Sequence, residues 1–407
     1  MRNTALFLLV FSATGAISAA ERITATGKVV DADGHPVAHA AVLVYSAGVK
    51  TGFNQFCPTC YADCGKRAFT GDDGAYSIPG LSSDLVFNLL VVRDGYAAKF
   101  VKKVDPAKGP AETASLAKRA PVDAAQMIRG IVVDQHGTPV RDALVEQQGA
   151  MTNDGGRSFG DGGWIDLMSV TNDHGEFALA YDKPLKGAIV AITARGMATK
   201  LATVPGASDS TKIALTEGAT IRGRLVANGR PVANAELGLE THNRFSGNYL
   251  SEVRIGTDAD GNFAFTNVPA GRVWNLYGKM ESLAGRDLVS DVKLCATKDD
   301  GQDVNVGDIQ VRPSYTLSGR VVLDDGKTLP AGMHVNLGRD EVGDNQTLVL
   351  ATDGRFEFHG LSDGVYNLGP SVKGYEPEDR TRLELLIESN QSGMTVPMRP
   401  RDSTNEP

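Results

Sequence analysis

The chain has 407 residues, 42% apolar and 22% charged, proportions that exclude a collagen, a wholly disordered chain and a polytopic membrane protein. With 46 Gly and 18 Pro and only 6% aromatics, turns are frequent and elements short. A net charge of −8 gives no electrostatic ground for nucleic acid or an anionic membrane as partner.

Residues 1–20 carry one arginine, an apolar run Ala5–Phe11 and small residues up to Ser18-Ala19-Ala20. This is the layout of a secretory signal peptide, with cleavage expected after Ala20 and a secreted or periplasmic destination. The run is too short to span a membrane, and no later segment is long and apolar enough. The residue following the expected cut is Glu21, not the Cys that lipidation would use, and 401–407 reads as a polar tail.

Beyond residue 20 the sequence repeats. Gly27-Lys-Val-Val-Asp-Ala-Asp-Gly-His-Pro36-Val, Gly130-Ile-Val-Val-Asp-Gln-His-Gly-Thr-Pro139-Val, Gly223-Arg-Leu-Val-Ala-Asn-Gly-Arg-Pro231-Val and Gly319-Arg-Val-Val-Leu-Asp-Asp-Gly-Lys-Thr-Leu-Pro330 match one another. The starts fall roughly a hundred residues apart, the length of a small domain rather than of a solenoid repeat. In each copy a strand of period two (Ile128, Gly130, Val132 against Arg129, Ile131, Val133) runs into an Asp/Asn/Gly/Pro turn. A second alternating strand follows: Ala40, Val42, Val44; Ala143, Val145; Ala235, Leu237, Leu239; and, shifted by one, Met333, Val335, Leu337. Then comes a second signature, Thr70–Tyr76, Thr171–Phe177, Thr257–Phe263 and Thr352–Phe356, in which a turn ends in Gly and an aromatic stands two residues later. Such a hairpin places the aromatic in the core. Further strands close on Gly95-Tyr96, Gly196-Met197 and Gly374-Tyr375. Short strands with frequent turns in units of this size define an all-β protein of four tandem β-sandwiches, at 21–119, 120–216, 217–312 and 313–400.

These paired signatures resemble the carboxypeptidase regulatory-like domain, a transthyretin-like (prealbumin-like) sandwich grouped with carbohydrate-binding-like folds and related to the B-type repeats of Gram-positive collagen adhesins. The resemblance covers nearly all of the chain after residue 20. It implies four tandem seven-stranded Greek-key sandwiches acting as a non-catalytic accessory, and it speaks for fold more than for function.

No peptidase accompanies the repeats. None of His35, His39, His136, His174, His242, His334 and His359 stands in a His-x-x-Glu or His-Glu-x-x-His spacing. Asp31-Ala-Asp33-Gly34 and Asp258-Ala-Asp260-Gly261 begin like calcium loops but lack the later acidic ligands, so they read as turns. The Gly-rich stretch 154–164 has neither the Lys-Ser/Thr ending nor the helix of a phosphate loop and reads as a flexible insertion. No enzyme, cofactor or metal site is expected.

The cysteine loop Cys57-Pro-Thr-Cys60-Tyr-Ala-Asp-Cys64 departs from the repeat pattern. In an exported chain a disulfide within it is the default, Cys60–Cys64 ahead of Cys57–Cys64. A thiol-redox or metal-binding role for the loop is the alternative. Cys295, in the strand-like Val292-Lys-Leu-Cys-Ala, reads as a buried free thiol. Segments 46–69, 147–170, 240–256 and 338–351 occupy one slot in the four copies and vary most. Loops on a rigid sandwich are where binding is placed, and Phe53, Phe56, Tyr61, Phe159, Trp164, Phe245 and Tyr249 offer stacking surfaces to a glycan or a protein. The same aromatics could equally cover the ends of the cores. The expected function is that of an envelope scaffold or binding module.

Overall fold

The computed structural model describes residues 21–50, 58, 59, 61, 63–160, 163, 165–206, 211–243, 250, 252–379 and 383–401. Its strands form four tandem β-sandwiches, each of two sheets. In the first, Ala75–Ser82, Arg22–Asp31 and Ala114–Leu116 lie side by side, facing Arg67–Phe69, Ala41–Val49, Leu85–Val92 and Lys99–Val104. The second repeats this with Glu176–Ala180, Met127–Val133 and Thr211–Ala214 against a sheet built on Leu144–Met151 and Gly187–Thr193. Ala219–Ala227 and Asp303–Pro313 carry one sheet of the third sandwich, and Glu236–Thr241 and Arg272–Gly278 the other. In the fourth the central strands are Tyr315–Leu323 and Gln391–Pro400 against His334–Arg339 and Gly364–Ser371. The first and last strands of every sandwich pair in parallel, with Val29 opposite Ala114, Gly130 opposite Thr211, Ile221 opposite Val304 and Gly319 opposite Met394. Among the described residues no helix is long and apolar enough to cross a membrane.

Both repeated signatures have physical causes. The aromatics Tyr76, Phe177, Phe263 and Phe356 are buried, each lying across the first-strand glycine of its own copy. A Cβ on Gly223 would stand 2.9 Å from Phe263 Cζ, and one on Gly319 2.7 Å from Phe356 Cζ, so only glycine lets the ring pack there. The threonine heading the hairpin is a clamp. Thr70 Oγ1 accepts from Ala40 N at 2.8 Å and donates to Val37 O at 2.6 Å; Thr171 and Thr257 do the same to Ala143 and Val140, and to Ala235 and Val232. The fourth copy differs: Leu350, bonded through its N–H to Met333 O at 2.8 Å, fills the clamp position, and Thr352 lies exposed further on. Its shortened turn holds the aromatic in register but not the threonine.

The stretch from Asp154 is not wholly the flexible insertion its composition suggests. Arg157–Phe159 is a strand paired with Gly149–Met151, and the turn between them is closed by Thr152 N donating to Gly156 O at 3.0 Å. The glycines supply the turn rather than a loose loop.

The joints differ from one another. Between the first and second sandwiches Ala41, Leu43, Leu90 and Val92 meet Leu144, Met168 and Val170 in a separate apolar cluster, with Tyr45 and Phe100 edge to face at 5.2 Å beside it. Arg119 pairs with Asp166 across the same joint. The outer faces of these strands are therefore buried as well as the inner ones. Between the third and fourth the contact is made by an insertion: after Gly278 the chain leaves its sheet for α1, Met280–Ala284, and then Leu288–Ser290, which pairs with Asp303–Pro313 on the opposite sheet.

Candidate functional site

The recurring aspartates prove to be turn-formers. Asp31 Oδ1 accepts from Asp33 N and His35 N, both at 2.9 Å, and Asp134 Oδ1 from His136 N at 2.8 Å and Thr138 N at 2.9 Å. In the later hairpins Asp258 takes Asp260 N and Asn262 N, while Asn172 takes His174 N and Glu176 N. These amide bonds hold the carboxyls of Asp31, Asp134 and Asp258 below the usual carboxylate range. Asp31, Asp33 and His35 present ligand atoms close enough for one cation, but they are largely exposed, and Asp31 is already committed to its turn.

Of the cysteine loop, Cys57 and Cys60 lie outside the described residues. Cys64 is a free, half-buried thiol whose N–H bonds to Tyr61 O at 2.9 Å and whose Sγ stands 3.5 Å from Pro58 O. Burial pushes this thiol up, the direction opposite to the one an attacking thiolate needs. Beside it Asp63, 2% exposed, receives Ser82 N at 2.9 Å, Lys66 Nζ at 2.6 Å and Arg22 Nη1 at 3.1 Å. The carboxylate ties the loop to the first sheet. Cys295 is buried on Lys293–Thr297, and its thiol is pushed up to about 11 by burial.

The candidate stacking residues are distributed unevenly. Phe53, Phe56, Trp164, Phe245 and Tyr249 lie outside the described residues, and of Phe159 only the strand position is described. Tyr61 is corrected: at 7% exposure it packs in the core of the first sandwich with Val42, Val44 and Phe87, so it covers that core rather than offering a stacking face.

Two of the variable slots do converge. Between the second and third sandwiches lies a cavity of ≈ 280 Å³, lined on one side by Glu146, Gln148, Thr193 and Leu201, and on the other by Glu252, Phe265, Asn267 and Trp274. Gln148 belongs to the 147–170 slot and Glu252 to the 240–256 slot. Phe265 and Trp274, each 1% exposed, close the cleft as members of the third core, and hydroxyl, amide and carboxylate groups line the rest, donors and acceptors that can orient a polar ligand. Burial raises the Glu146 carboxyl, with Arg67 drawing it partly back. Glu252 is also pushed up by burial, but Lys279 and Tyr277 hold it net below the usual range, hence ionised. The composition of the slots pointed at their aromatics; the polar strand residues Gln148, Thr193 and Asn267 line the cleft and carried no motif.

No family model matches the chain, and no curated protein matches it in sequence. Among solved structures it is similar to the Bacillus anthracis TIE protein at 11% identity, over 94% of this chain and 75% of that one, with a TM-score of 0.21. A streptococcal ancillary pilin matches at 14% identity over 68% of this chain and 99% of its own, TM-score 0.24. A variant of the major pilin subunit of Bacillus cereus matches at 10% identity over 72% and 100%, TM-score 0.19. At these values no activity or partner is carried over to this chain.

Proposed function

We propose that the protein is an exported, non-catalytic scaffold of the cell envelope that holds a glycan or a protein segment in the cleft between its second and third sandwiches. The observation that carries this reading is the convergence of two variable slots on one cavity lined by hydroxyl, amide and carboxylate groups. Rigid β-sandwiches supply the spacing; the joint supplies the site. The units at 21–119, 120–216, 217–312 and 313–400 are the working parts of this scaffold, and the cysteine loop, closed by a disulfide between Cys64 and Cys60 or Cys57 after export, stiffens the first of them.

The test is retention from native envelope. Full-length mature protein is used as bait beside Thr193→Trp, which fills the cleft from the half-buried end of the strand Gly187–Thr193. Loss of one co-purifying glycan or protein with the filled cleft, at unchanged circular dichroism, supports the reading. An identical retained set for both proteins overturns it.

A further inference from the structure

The second and third sandwiches, and the third and fourth, are joined by different physics. At the third–fourth joint the insertion after Gly278 is driven into its neighbour. Lys279, 2% exposed, places Nζ 2.8 Å from Asp344 Oδ1 of the fourth sandwich and 2.8 Å from Glu252 Oε1 of its own. The next residue donates its N–H to the other Asp344 oxygen at 2.9 Å, and its side chain, that of Met280, is part of the fourth sandwich's core with Phe358 and Tyr366. In return Gly343 N of the fourth sandwich donates to both oxygens of Glu240, a fully buried carboxylate of the third, at 3.1 Å each. Arg339 Nη1 reaches Ser290 O at 3.3 Å, and Gly360 lies so close to α1 that a Cβ there would stand 3.1 Å from Ala284 Cα.

Separating these two sandwiches would take the Lys279 ammonium and the Met280 N–H from buried Asp344 and the Gly343 N–H from buried Glu240, leave Lys279 with Glu252 of its own sandwich, and pull a methionine from a packed core, all of it costly in water-poor surroundings. The second–third joint has no such device among the described residues. Its polar links are Asn267 Nδ2 to Gly196 O at 2.9 Å and Thr216 Oγ1 to Asp300 Oδ1 at 2.7 Å; its apolar link is Leu201 against the third core. These hydrogen bonds lie at the surface, where water replaces them at small net cost. The cavity opens beside them, and the connection passes through Gly218 at φ 72°.

We propose that the third and fourth sandwiches move as a single rigid body locked by the 279–290 insertion, and that the chain bends at the second–third joint, opening and closing the cleft there. The bend shares its cleft with the functional reading above but requires no ligand, so the two fail separately.

Distance distributions in the full chain test it, with spin labels carried on unnatural residues at the exposed positions Asp182, Arg230 and Asp353. The 182–230 pair, across the second–third joint, is expected to be broad, and the 230–353 pair a single narrow peak. Asp344→Ala broadens only the 230–353 distribution. Met280→Ala, which removes the core knob without orphaning a charge, does the same more weakly and serves should Asp344→Ala fail to fold. Asn267→Ala broadens only 182–230. A narrow 182–230 distribution, a broad 230–353 distribution in the unaltered chain, or a 230–353 peak unmoved by both lock variants overturns the proposal. Failure of envelope retention with these distributions intact would sink the cleft ligand and leave the bend standing.

Discussion

The joint between the first and second sandwiches is centred on an apolar cluster with the Arg119–Asp166 pair at its side, whereas the one between the third and fourth is built on buried charge. The first presses Leu43, Leu90 and Val92 onto Leu144, Met168 and Val170. The other threads Lys279 between Asp344 and Glu252 and delivers Glu240 to a backbone amide. Apolar faces attract without direction and tolerate small shifts in register. A buried ion set does not: each member has one geometry in which its partners are met, and every displacement leaves a charge unpaired. The first joint is therefore cohesive and the second is specific.

That contrast predicts the largest effect at the ionic joint. Asp344→Ala leaves Lys279 buried with half its compensation and should destabilise the chain by about 3–5 kcal/mol in denaturant unfolding. Joint replacement, Lys279→Met with Asp344→Leu, should recover most of that loss; a double variant as unstable as the single would show that the loss does not come from an orphaned Lys279 charge.

At the apolar joint, Leu144→Ala should cost about 2 kcal/mol, the low end for a buried leucine, because two sandwiches can close over the space left behind. Equal losses at both joints in the same unfolding experiment would erase the distinction drawn between them.

A smaller effect belongs to neither joint. The Asp134 carboxyl, held below its ordinary value by the amide of Thr138, contributes stability that is complete above the ordinary carboxylate pKa and is lost as pH falls through its lowered folded value. Asn172 fills the equivalent role in the later hairpin without titrating. Asp134→Asn should keep the turn and flatten part of the acid side of the melting-temperature profile; a profile unchanged in slope would mean the turn is not an acid-sensitive element.

The smallest effect is chemical. With its thiol buried and pushed up to about 11, Cys295 should resist alkylation at pH 8 until the third sandwich unfolds. Rapid labelling of native protein would place that strand at the surface. Peptide mapping in the same unreduced sample reads the pairing of Cys57, Cys60 and Cys64.

Much of this architecture was legible in the residues. Gly27 with Tyr76, and Gly130 with Phe177, mark where a ring lies over a bare backbone, and a period of two gave the inward faces of Val42 and Val44 or Leu237 and Leu239. The joints were harder to read. The unbroken apolar runs Ala40–Val44 and Leu89–Val92 carried the signal of strands buried on both faces, but alternation drew attention to one face only. Lys279 and Glu240 had no signal at all: a charged residue at the end of a strand or just after one ordinarily faces water, and its burial depends on a partner from the next repeat. Tyr61 misled for a related reason, since an aromatic in a loop has the same composition whether it faces a ligand or a core.

The parallel pairing of first and last strands has a mechanical consequence. Each sandwich is entered at one pole and left at the other, so tension on the chain ends drags two neighbouring strands past each other and loads their hydrogen bonds together instead of one after another. The first sandwich offers a pairing of only Val29–Asp31 with Ala114–Leu116, whereas the fourth pairs Leu317–Leu323 with Gln391–Met398. Under a steady pull the chain should yield from its amino-terminal end first, and force spectroscopy of the tethered mature protein would register this as a weak early rupture before the stronger carboxy-terminal ones.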